Sequence, residues 1–152
     1  MKIVVDTNIV FSAILNSNGK IGDLLLNSGK YIDFYSVDYL RYEIGNHYDK
    51  LSKISNQSVD QIIKTEYYII KGIKFISEEQ ISEVSWRSAH ELVKDVDLDD
   101  IAFVALSDHL KCKLWTGDGV LIRGLSQNGF KNTILTDELL DYRNMMEHKK
   151  RK

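Results

Sequence analysis

The chain has no proline and a single cysteine, Cys112, in 152 residues. Without proline, no pyrrolidine ring breaks a helix or removes a strand donor, so the elements are expected to run uninterrupted. One cysteine excludes an internal disulfide and any cysteine-rich zinc site. Cys112 lies beside an apolar stretch, which makes it an inert thiol at the core's edge and not a nucleophile. No apolar run approaches the roughly 20 residues that span a bilayer. Asp6 interrupts the only early apolar run, so a secretory leader is not expected and a cytoplasmic location is.

The bulk composition is that of a globular domain, 43% hydrophobic and 28% charged. A chain of this length buries about 68–70% of its unfolded surface, enough for a core of its own. We expect one domain over residues 1–148 and a basic tail over 149–152. That tail, Lys149-Lys150-Arg151-Lys152, conceals an asymmetry. Residues 1–148 hold 16 Lys and Arg against 22 Asp and Glu, a balance of −6. Such a body attracts divalent cations better than polyanions, and the tail reads first as a solvated terminus.

Hydrophobic periodicity predicts strands at 2–6, 32–35, 73–76, 113–116 and 133–135. It predicts helices at 8–16, 21–27, 37–51, 58–71, 78–94, 98–110 and 119–126, with a last helix begun by Thr136. Residues 98–110 are apolar on most sides, with Ala102 and Ala105 permitting close packing, so that helix should be central. Strands alternating with helices imply an α/β fold of three α/β/α layers around a mainly parallel sheet.

Acids recur where strands end. Asp6 closes Ile3-Val4-Val5. Asp118 follows Lys113-Leu114-Trp115-Thr116, and Asp97, Asp99 and Asp100 open the central helix. Ligands in open α/β sheets bind outside the carboxyl ends of the strands. Carboxylates gathered there are tenable mainly around a hard cation, and Mg²⁺ or Mn²⁺ is the natural choice.

Each acid also has a plainer explanation. Asp6 could cap the following helix, yet a buried carboxylate without a partner is costly and no basic residue follows nearby. Asn8 could orient it through its amide and Thr7 through its hydroxyl, as supporting residues do at metal sites. Asp97 suits a helix cap; Asp100, beside the buried run Ile101–Leu106, suits a metal ligand, and Asp97 could join it. Asp99 should be solvated. Asp118 sits in a glycine-flanked turn, which Asp favours in any case. Glu43, on the flank of an apolar stripe, would alone be an ordinary surface residue. Asp137 and Glu138 read as helix-start acids.

Taken in order, these residues resemble the PIN-domain nucleases. The resemblance rests on the strand ending in Asp6-Thr7-Asn8, and on Glu43 within Tyr39-Leu40-Arg41-Tyr42-Glu43-Ile44. It continues through Asp97 to Asp100 before the run Ile101–Ser107, then Thr116-Gly117-Asp118. It closes on Thr133-Ile134-Leu135-Thr136 leading to Glu138-Leu139-Leu140. It implies an acidic site binding Mg²⁺ or Mn²⁺ that cleaves single-stranded or structured RNA. For a single-domain chain it also implies the toxin of a toxin–antitoxin pair, held by a small antitoxin protein and often a homodimer. Asp6, Asp100 and Asp118 then become the metal ligands, with Asp97 beside them. Glu43 completes the shell or orients water, and Thr116 places a hydroxyl near the phosphate. Gly119 departs from the family, where a basic residue often follows the fourth acid. Arg41, Arg123 and Lys20 are the candidates for backbone contacts.

Other classes fit less well. A haloacid-dehalogenase-type phosphatase also starts from an Asp after its first strand but needs a second Asp two positions on, where this chain has Asn8. A receiver-like domain lacks its mid-strand acceptor Asp and late Lys. A degenerate nuclease fold acting as a binding module remains the non-enzymatic alternative.

Overall fold

The computed structural model describes residues 1–151. Strands β1 (Lys2–Val5), β2 (Asp33–Val37), β3 (Ile73–Ile76), β4 (Lys113–Trp115) and β5 (Thr133–Ile134) form one sheet in the order β3-β2-β1-β4-β5. Every pairing is parallel, with Ile3 opposite both Phe34 and Lys113, and Val5 opposite Trp115. Parallel strands need crossovers, and the helices that supply them cover the sheet to give the three-layer α/β/α architecture. They are α1 (Thr7–Leu15), α2 (Lys20–Asn27), α3 (Tyr39–Asn46), α4 (Tyr48–Ser55), α5 (Val59–Ile70), α6 (Glu83–Val93), α7 (Ile101–Leu110), α8 (Gly119–Gln127) and α9 (Thr136–Arg151).

Burial on both faces explains why β1 reads as a continuous apolar run: Ile3, Val4 and Val5 are all fully buried. Helix α7 is buried from Ala102 to Ser107 and packs on β1, β2 and β4, which is the central position expected of it. Cys112 is partly buried, and burial pushes its thiol up to about 11, consistent with an unreactive side chain. No helix among the described residues is long and apolar enough to cross a membrane.

Two helices depart from the periodicity. The apolar stripe over 37–51 runs through two helices, α3 and α4, broken at His47. In an unbroken helix the His47 N–H would bond the Glu43 carbonyl. Here it bonds Ile44 O at 3.0 Å, and the His47 ring nitrogen Nδ1 lies 2.7 Å from Glu43 O instead. The preceding Gly45-Asn46 pair has poor helix propensity and eases the break. The predicted helix over 78–94 is likewise a 3-10 turn at Glu78–Gln80 followed by α6. Ile81 is extended, and Ser82 caps the new helix by accepting from the Ser85 N–H at 3.2 Å. The basic tail continues α9 through Arg151, while Lys152 lies outside the described residues.

This strand order sets the site. The chain leaves β1 for β2 on one side and reaches β4 on the other, so the topology reverses between β1 and β4. A crevice opens at the carboxyl ends of such a pair, and Asp6 and Asp118 stand at its two sides.

Candidate active site

Asp6 is the N-cap of α1. Its Oδ1 accepts the Ile9 N–H at 3.0 Å, which answers the capping explanation. That bond uses only one oxygen. Oδ2 is buried and has no hydrogen-bond partner, the one such side-chain atom among the described residues. Asp6 is 2% exposed. Burial pushes its carboxyl up from 3.8 to about 6, with smaller contributions from Asp118 and Glu43; the Thr116 hydroxyl and the Ile9 N–H pull the other way.

Asp118 is built alike. It caps α8, with Oδ1 accepting from Val120 and Leu121 at 3.0 and 3.2 Å. Its own N–H donates to Thr116 Oγ1 at 3.1 Å, which ties the buried Thr116 to the same turn. Asp100 differs. It stands at the N-cap position of α7, but its side chain makes no capping bond. It is half-buried, and its carboxyl is pushed up to about 7, first by burial and then by Asp97, Asp6, Asp118 and Glu43. Asp97 is exposed and caps the 3-10 turn Leu98–Asp100 by accepting from the Asp99 N–H at 2.9 Å.

Glu43 reaches the crevice from α3. The Thr7 hydroxyl donates to its Oε1 at 2.6 Å. Its carboxyl is raised by burial, a shift opposed by the Thr7 bond and reinforced by Asp99 and Asp97. Thr7 therefore supports Glu43 and not Asp6. The Asn8 side chain is exposed and makes no hydrogen bond to Asp6, whose Oδ2 has no partner.

One cavity of about 130 Å³ collects these groups: Asp6, Glu43, Asp97, Asp100 and Asp118 all line it, with Thr7, Asn8 and Phe103. Asp99, expected in solvent, is exposed but also lines it. Among the described residues, no three acids, histidines or cysteines stand close enough to hold an ion as arranged. The acids share one wall without converging on a point. The donors nonetheless suit a hard divalent cation. All are oxygens, one buried oxygen has no partner, and the charges raise one another's proton affinity.

The cavity is the middle of a longer groove. On one side, Asn8 and Asp118 also line a hollow of about 280 Å³ with Ser12 and Thr136. On the other, Asp99 also lines an apolar hollow of about 470 Å³ with Tyr39, Tyr42 and Leu98. Sequence reasoning missed that second hollow, because Tyr42 and Leu98 meet only through folding. The candidate cations are partly engaged. Lys20 pairs with Asp137 at 3.1 Å, and the Arg41 guanidinium lies 3.9 Å from the Phe75 ring centre. Arg123 packs over Gly119, where a β-carbon would lie 3.1 Å from its Nη1. A basic group thus covers the position after the fourth acid, supplied from one turn along α8.

A parallel α/β/α domain with carboxylates gathered at its switch-point crevice is the class that fold and site define. The PIN domain profile matches residues 4–148, and the chain belongs to the PIN domain family, whose members are generally metal-dependent nucleases. Two solved structures share the fold. VapBC2 from Rickettsia felis, bound to a DNA fragment from its promoter, is 15% identical with a TM-score of 0.65, over 89% of this chain and 97% of that one. A protein from Pyrobaculum aerophilum is 14% identical with a TM-score of 0.68, over 95% and 90%. Comparison with curated proteins finds no match.

Proposed function

We propose that this protein is a Mg²⁺- or Mn²⁺-dependent endoribonuclease and the toxin of a toxin–antitoxin pair. The observation that carries the reading is Asp6 Oδ2, a buried carboxylate oxygen with no partner, on a residue that lines one cavity with Glu43, Asp97, Asp99, Asp100 and Asp118. A structural cap needs only the oxygen that Ile9 occupies, and leaving the other buried without a partner is costly.

Asp6, Asp100 and Asp118 would hold the cation, with Asp97 at the open side. A bound divalent ion would supply an activated water and neutralise charge on the phosphodiester. The chain's own residues do the rest. Glu43, steadied by Thr7, faces the cavity as an acceptor that can orient water or take its proton. Thr116, buried beneath Asp118, keeps a hydroxyl next to Asp6. Restraint by a cognate antitoxin rests on the family and on the shared fold with VapBC2.

The test is cleavage of total RNA by the purified protein with Mg²⁺, with Mn²⁺ and with chelator. Cleavage with either ion that stops in chelator is expected. Persistent cleavage in chelator would sink the metal mechanism. If no RNA is cut under any condition, the binding-module alternative stands in its place.

A further inference from the structure

We infer that the apolar hollow beside the acidic cavity is a nucleobase site, in which the exposed Tyr42 ring stacks on a base of the strand whose phosphate lies at the acids. The inference rests on the nuclease reading for its substrate and on separate observations for its place. An aromatic row leads out of the acidic cavity. Phe103 lines that cavity; the Tyr39 ring lies 6.5 Å from Phe103, and Tyr42 stacks on Tyr39 at 6.0 Å and 27°. Tyr42 ends the row at 65% exposure, and Leu98, 52% exposed, also lines the hollow. A large aromatic ring left exposed at the mouth of an apolar hollow contributes little to the core.

The wall is fixed before anything binds. Glu78 Oε1 accepts the Tyr39 N–H at 2.8 Å, and Trp86 Nε1 donates to the Glu78 carbonyl at 3.4 Å. A preformed platform loses little freedom on binding. The rim decides what fits. Asp38, Glu78 and Asp99 line the aromatic floor with carboxylates, and among the described residues no cation lines the hollow. Such a rim repels phosphate and accepts from amino groups. A flat, uncharged ring carrying an exocyclic amine complements both floor and rim; adenine, cytosine and guanine are such rings and uracil is not. Because Asp99 belongs to both hollows, a base seated here is one short step from the acids. Sugar and phosphate would then continue toward the hydroxyl-lined hollow on the far side.

The experiment has two readouts. Adenosine, cytidine and uridine, which carry no phosphate, are titrated in chelator into the parent chain and followed through the Tyr ring signals by NMR. We expect adenosine and cytidine to shift the Tyr42 ring, cytidine to bind more tightly than uridine, Tyr42→Ala to abolish the response, and Tyr42→Trp to retain binding. Truncating so exposed a ring leaves the fold intact, which the melting temperature checks. In cleavage of single-stranded RNA, Tyr42→Ala should raise KM by about tenfold, within the range of base–aromatic stacking, and leave kcat within about twofold. Tyr42→Trp should restore KM. Absence of nucleoside binding to the parent overturns the proposal, as does a Tyr42→Ala enzyme with unchanged KM. Equal affinity for uridine and cytidine removes the selecting role of the acidic rim. If nucleosides bind at Tyr42 but no RNA is cut, the base site stands and the nuclease reading fails.

Discussion

Replacing Asp6 by Asn should stabilise the metal-free protein near neutral pH. A carboxyl moved from 3.8 to about 6 in a site only 2% exposed corresponds to about 3 kcal/mol held against its ionised form. Asn caps helices as well as Asp does, so its amide oxygen can keep the Ile9 bond. Its NH₂ would replace the unpartnered oxygen at a cost of about 1–3 kcal/mol if it finds no acceptor. The net gain is up to about 2 kcal/mol, which in a chain of this size raises Tm by up to about 8 °C.

The pH dependence identifies the cause. Because the folded-state value lies above the unfolded one, Asp6 favours folding fully only below about 4. That stability is lost as pH rises through about 6. The mutant's advantage should therefore be present at pH 7.5 and gone by about pH 4. Melts of both proteins in chelator at the two pH values make the comparison. Adding Mn²⁺ at a hundredfold excess over its dissociation constant should stabilise the parent by about 2.7 kcal/mol through linkage and the mutant much less. A metal-free mutant that melts well below its parent at pH 7.5 would make Asp6 a structural cap and refute the reasoning. Equal metal shifts in both proteins would place the cation elsewhere.

The two acids that open the central helix should differ in role. Asp100→Asn should reduce cleavage by at least a hundredfold, because Asp100 is half-buried, makes no cap and is crowded by four acids. Asp97→Asn should reduce it by about tenfold or less, since Asp97 is exposed and Asn can keep the bond to the Asp99 N–H; steady-state rates on one RNA check both, and full activity of Asp100→Asn would remove it from the site. Expression without a partner protein should slow growth, with Asp6→Asn relieving the effect; growth curves showing no difference would point to a nuclease that is not a toxin.

The sheet and its order of elements were legible because parallel strands buried on both faces leave unmistakable runs, such as Ile3-Val4-Val5. Asp6, Asp100 and Asp118 were legible because each follows a strand or opens a helix, whereas Glu43, inside α3, stood out only through the family resemblance. What periodicity could not register were events within one apolar stripe. Val37 to Leu51 holds its helical spacing across the break at His47, because α3 and α4 both turn apolar residues inward. The break itself depends on a ring nitrogen occupying the Glu43 carbonyl. Partners were harder than positions. Thr7 and Asn8 adjoin Asp6 in sequence, but the first residues of a helix point around its axis. Thr7 therefore faces Glu43, 36 positions away, and Asn8 faces solvent. The Tyr39–Tyr42 row was invisible as a feature, since its meaning comes from Phe103 and Leu98 on distant segments.

The capping and the catalytic explanations of these acids are the same arrangement viewed from two oxygens. Asp6 and Asp118 each use Oδ1 to hold the first turn of a helix, α1 and α8 respectively. Those bonds engage one oxygen of each carboxyl and leave the second outside the cap. The N-termini of α1, α7 and α8 thus meet at one crevice, and their dipoles place partial positive charge behind the carboxylates. That charge helps a cluster of acids persist in a folded protein before any cation arrives. Asp100 fits the same logic by contrast. Its side chain makes no cap, and its carboxyl is pushed to about 7. With its carboxyl at about 7, it still carries a proton in much of the population at pH 6.5, which a cation bound beside it would displace. Proton release on adding Mn²⁺ at pH 6.5 should be measurable in weakly buffered solution and largely absent from Asp100→Asn. Equal release from parent and variant would show that the ion does not act on Asp100.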